Sequence, residues 1–65
     1  MKIEEIKRRV DLIKERADDP ESAHSQEDKL YLDFIKYISK LSSPLGKKAL
    51  AVLETQEIDF PRWCA

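Results

Sequence analysis

One histidine, one cysteine and one tryptophan-bearing string are where this 65-residue chain could do chemistry. His24 stands in Ala23-His24-Ser25-Gln26-Glu27-Asp28, with Glu27 three residues on and Asp28 four. On a helix both spacings bring side chains to one face. A carboxylate beside an imidazole can orient a general base or a metal ligand. No nucleophile is spaced with the group, and one imidazole with two acids is a weak ligand set. The expectation is therefore a local polar pair, His24 with Asp28, at a helix start.

Cys64 would need an electropositive, partly enclosed surrounding to act as a nucleophile. Arg62 is close in sequence, but a position beside the chain end is a poor place for exact geometry, so an inert thiol is expected. A single cysteine excludes an internal disulfide framework and a cysteine-cluster zinc site. No catalytic, cofactor-binding or metal-binding residue is assigned, and neither an enzyme nor a cofactor is expected.

The string Ile58-Asp59-Phe60-Pro61-Arg62-Trp63 is the most unusual. Pro61 blocks a helix and restricts Phe60 to extended geometry. Arg62 beside Trp63 can form a cation–π contact. Phe60, Arg62 and Trp63 are residue types that anchor interfaces. Ile58, Phe60 and Trp63 should be buried against the second and third helices, within one chain or across a dimer.

The elements that must position these groups follow from two breakers, Asp18-Asp19-Pro20 and Ser42-Ser43-Pro44. Each sets a capping residue directly before a proline, which suits the first helical position. Between them the periodicity predicts an all-α, three-helix bundle over approximately 2–17, 20–41 and 44–54, followed by an ordered non-helical C-terminal arm. The whole chain, 1–65, is a single helical domain.

In the first helix Ile3, Ile6, Val10, Ile13 and Ala17 form a narrow heptad-like seam that should pair with the second. Leu12 lies off it. In the second, Ala23, Leu30, Phe34, Tyr37, Ile38 and Leu41 share one arc, which Tyr31 and Ile35 widen to about 160°. A stripe that wide suits a helix touching two neighbours at once. Lys29, Asp33, Lys36 and Lys40 line its opposite face. In the third, Leu45, Ala49, Val52 and Leu53 group together, and Gly46 borders them, where it can allow close helix approach.

Charge is unevenly placed. Residues 17–33 carry one base and six acids, and residues 34–53 carry four bases and no acid, within a chain of net charge −1. Acids near a helix start suit its dipole. The balance gives no general pull toward nucleic acid. Arg8, Arg9, Lys47 and Lys48 are the contacts such an activity would use. In the first helix, though, acids interleave with bases, and intrahelical pairs such as Glu5–Arg9 and Asp11–Lys14 consume much of the charge. The third helix lacks exposed Arg, Asn or Gln able to read base edges.

No apolar run approaches a membrane span. Met1-Lys2-Ile3-Glu4-Glu5 has acids where a signal peptide needs apolar residues. With the lone thiol, these features point to a reducing cytoplasm.

The segment Ala23-His24-Ser25-Gln26-Glu27-Asp28-Lys29-Leu30 and the string Ile58-Asp59-Phe60-Pro61-Arg62-Trp63-Cys64-Ala65 resemble small bacterial and phage-borne helical proteins of unknown function. The resemblance spans roughly the last two-thirds of the chain. It implies a small cytoplasmic or phage-encoded protein and transfers no catalytic residue. The expected function is a non-catalytic protein-interaction module, with a protein partner or a second copy as a homodimer. The alternative is a weak nucleic-acid-binding accessory protein.

Overall fold

Each of the two Asp/Ser–Pro breakers starts a helix. In the computed structural model, which describes residues 1–62, Pro20 and Pro44 stand in the first turns of two helices. Three α-helices follow in order: α1 (Ile3–Glu15), α2 (Pro20–Ser39) and α3 (Pro44–Val52). Ser43 Oγ accepts from the Gly46 N–H at 3.2 Å, and Asp19 Oδ1 accepts from the Ser22 N–H at 3.4 Å. These contacts satisfy donors that a helix start leaves without a partner. No strand forms among the described residues.

Each helix ends two residues short of its predicted limit, as fraying last turns do, and α1 starts one residue late. A larger difference lies after α3. Leu53–Glu57 continue as a 3-10 turn, where the apolar period predicts α-helix to 54 and an aperiodic arm from 55. Its tighter winding needs no 3.6-residue pattern, so apolar spacing does not reveal it.

Helix α2 is the spine, and α1 and α3 both pack on it. The stripe of about 160° on α2 does reach two neighbours. Leu30 and Tyr37 belong to the α1 side, and Ile35 and Ile38 to the α3 side. The result is one layer of helices and not a bundle closed around a centre. The Cα extents are 38 × 33 × 9 Å, so the thinnest dimension is about one helix across. The radius of gyration is 13.6 Å, against about 11 Å for a compact chain of this length.

A layer this thin leaves little interior. Leu30, at 7% exposure, is the one buried large apolar side chain among the described residues. Gly46 is the other buried position. A Cβ built there would overlap the backbone carbonyl of Leu41 and stand 3.1 Å from the Ile38 carbonyl oxygen. Only glycine lets the start of α3 press against the end of α2 this closely.

Candidate interaction surface

Helical phase sorts the exposed side chains of the layer into two faces. At 100° per residue, Tyr31, Phe34 and Ile38 fall within about 60° of one another on α2, and Lys29, Lys36 and Lys40 cluster on the opposite side. Two grooves flank α2 on the Phe34 side. One, of about 410 Å³, runs against α1 and is lined by Val10, Ile13, Ala17, Ala23, Leu30 and Tyr31, with Lys14 and Glu27 at its polar edge. The other, of about 350 Å³, runs against α3 and is lined by Phe34, Ile35, Ile38, Leu45, Ala49 and Val52, with Lys48 as its charged member. Phe34 and Tyr37 stack, with ring centroids 6.5 Å apart.

The grooves on the other side are built differently. Gln26, Lys29, Asp33 and Arg9 line one, with Leu12 and Ile13. Glu5, Lys36 and Lys40 extend the polar lining toward Met1. Here Arg9 Nη1 meets Asp33 Oδ2 at 3.0 Å, with the two side chains 20% and 34% exposed. The i, i+4 spacing predicts Arg9 with Glu5; Arg9 instead crosses to α2 and fastens α1 to it. Lys14 does meet Asp11, at 4.0 Å in the open.

The α1 seam is split by this geometry. Ile6 and Ile13 are half-buried toward α2, whereas Ile3 and Val10 stay exposed. Leu12 is exposed as well. Phe34 is 43% exposed and Val52 53%.

His24 Nε2 lies 3.4 Å from Asp28 Oδ1, the one-turn contact that the spacing predicts. Glu27 belongs to the same cluster: ligand atoms of His24, Glu27 and Asp28 all lie within 4.8 Å of one another. The Tyr31 hydroxyl donates to Glu27 Oε2 at 3.2 Å. Glu27's negative charge and its hydrogen bond hold the Tyr31 phenol above its ordinary range, with a small contribution from Asp28. One imidazole and two carboxylates give three donors, short of the four that a structural zinc site takes. His24 and Glu27 are half-buried and Asp28 is exposed, near the start of α2.

The arm is held by Arg62. Its guanidinium donates to the carbonyl oxygens of Thr55 at 2.8 Å, Ile58 at 3.1 Å and Phe60 at 3.4 Å. It also lies 3.8 Å from the centre of the Phe60 ring. Within the described residues the cation–π contact is therefore made with Phe60. Ile58 and Phe60 remain 55% and 49% exposed, so the single chain does not bury them deeply against α2 and α3. The arm folds onto its own backbone instead. Trp63, the expected third anchor, and Cys64 lie outside the described residues.

The structure does not gather Arg8, Arg9, Lys47 and Lys48. Arg9 is paired with Asp33, Lys48 edges the apolar groove, and Arg8 and Lys47 are exposed on different helices. Among the described residues, no helix is long and apolar enough to cross a membrane. No protein-family model matches this sequence, and neither a curated protein nor a solved structure is significantly similar to it.

Proposed function

We propose that this chain is a small non-catalytic protein-interaction module whose working surface is the apolar face of the three-helix layer. One observation carries the proposal: three helices lie in a single layer with one buried large apolar side chain among the described residues, and Val10, Tyr31, Phe34, Leu45 and Val52 stay exposed along two grooves on one side of it. Domains hold together as two or more packed layers around a core. A lone amphipathic layer is half of such an arrangement, and its partner supplies the other half. Phe60 and Arg62, on the arm beyond the 3-10 turn, are residue types that serve as further anchors. The charged composition and the single cysteine support a reducing, cytoplasmic setting.

An apolar dye tests this at high dilution, where the face is uncovered. Anilinonaphthalene sulfonate should bind and brighten, Phe34→Glu should abolish the signal, and Lys36→Glu should leave it intact. Helical protein that binds no dye at any dilution, or binds it regardless of Phe34, would contradict the assignment of this face.

A further inference from the structure

We infer that the occupant of the apolar face is a second copy of this chain, docked face to face about a twofold axis; this rests on reading that face as the interaction surface. The areas agree. The accessible surface of the chain is 5497 Å², and a compact folded chain of this mass exposes about 4,300 Å². Over the whole chain the excess is on the order of 1,000 Å², enough to include the about 800 Å² that a stable two-body interface removes from each partner. The 38 × 33 Å outline of the layer has room for a contact of that size.

The charges agree as well. The charged residues beside the two apolar grooves are Lys14, Glu27 and Lys48. Both signs are present and none is stacked, so a copy of the face meets no wall of like charge. The chain as a whole carries a net charge of only −1, which sets little long-range repulsion against self-association. The relief suits a helical partner. Tyr31, Phe34 and Ile38 mark the α2 ridge with a groove on each side, and helical layers mesh by setting ridges into grooves. A twofold contact uses the same patch on both chains and closes at two copies.

Sedimentation equilibrium of the full chain, over roughly three decades of concentration, tests the inference. The expected result is a mass that rises from one chain to two and then stops. Phe34→Glu should move the midpoint to roughly 100-fold higher concentration, because a carboxylate at the centre of the contact loses its water. Phe34 is 43% exposed in the single chain, so the substitution gives up its stacking on Tyr37 but spares the buried Leu30, and circular dichroism checks that the helices persist. Val52→Glu, on α3, should act in the same direction, and Lys36→Glu, on the opposite face, should leave the mass curve unchanged.

A chain that stays monomeric throughout overturns the second copy. If it still binds the dye through Phe34, the interaction surface survives and its occupant is a different protein. If it binds none, both proposals fail together. A mass that climbs past two copies overturns the twofold closure, and dimers that ignore both glutamates overturn the choice of face.

Discussion

The two broad faces of the layer are made by opposite sides of the same helix, yet they are held in different ways. On the lysine side of α2, charged groups are met by a partner or by water: Arg9 spans to Asp33, and Lys29, Lys36 and Lys40 are exposed. On the phenylalanine side, Val10, Tyr31, Phe34, Leu45 and Val52 are left exposed. Fully burying one such side chain contributes about 1.5–3 kcal/mol. The stability of a domain this small is marginal. The polar face therefore leaves mainly charged groups to water, and the apolar face leaves large apolar ones. A small chain can satisfy its hydrogen bonds alone and still depend on another molecule for its core.

The largest effect should come at the point both faces share. Leu30→Ala truncates the one buried large apolar side chain among the described residues. Such truncations cost about 2–5 kcal/mol. Thermal melting followed by circular dichroism should show the variant largely unfolded at room temperature. A melting curve that overlays the parent's would place the stabilising contacts elsewhere.

Gly46→Ala should be next, at about 1–3 kcal/mol for overpacking a close contact. The added methyl meets the Leu41 carbonyl and would swing α3 out of the plane of α2, separating the two halves of the apolar face. Urea denaturation measures the cost. A gain in stability, the usual result of Gly→Ala inside a helix, would mean that the two helices do not touch there.

On the polar face the effects shrink. Asp33→Asn should lower stability by at most about 1 kcal/mol, and by less in high salt, because the pair with Arg9 is partly screened. Parallel denaturation at low and high salt reads this out. A loss several times larger would mark the polar face as a second structural centre.

The smallest effect is spectroscopic. The phenol of Tyr31 is held above 10.0 by Glu27. Glu27→Gln should bring its ionisation down toward the ordinary value in an ultraviolet titration. A group whose folded pKa is raised contributes stability below its unfolded pKa, and that contribution is lost as pH rises through the folded value. The effect is thus confined to strongly alkaline solution. An unchanged titration in the Gln variant would mean that the hydroxyl points away from Glu27.

Much of the fold was legible locally. Asp19-Pro20 and Ser43-Pro44 announce two helix starts through chemistry confined to four residues. The contact of His24 with Asp28 follows from one-turn spacing alone. The wide stripe of α2 implies two neighbours, but it does not say whether those neighbours close over the stripe or lie on either side of it. That depends on long-range geometry, on Gly46 admitting α3 against Leu41 and on Arg9 reaching Asp33 across the antiparallel pair. Arg9 had a nearer candidate in Glu5, and local spacing could not rank the two. The candidate surface was therefore present in the sequence as residues, but its exposure was not. Phe34 and Ile38 read as core positions, and only the flatness of the layer turns them into a surface.

The most direct test of a shared core is an isotope-filtered nuclear Overhauser experiment on a mixture of labelled and unlabelled chains. It detects only contacts between different molecules. The twofold arrangement predicts cross-peaks between copies from Phe34, Tyr31 and Ile38, and none from the side chains of Lys29 and Lys36. Absence of intermolecular peaks at concentrations where the mass has doubled, or peaks confined to the lysine face, would contradict it.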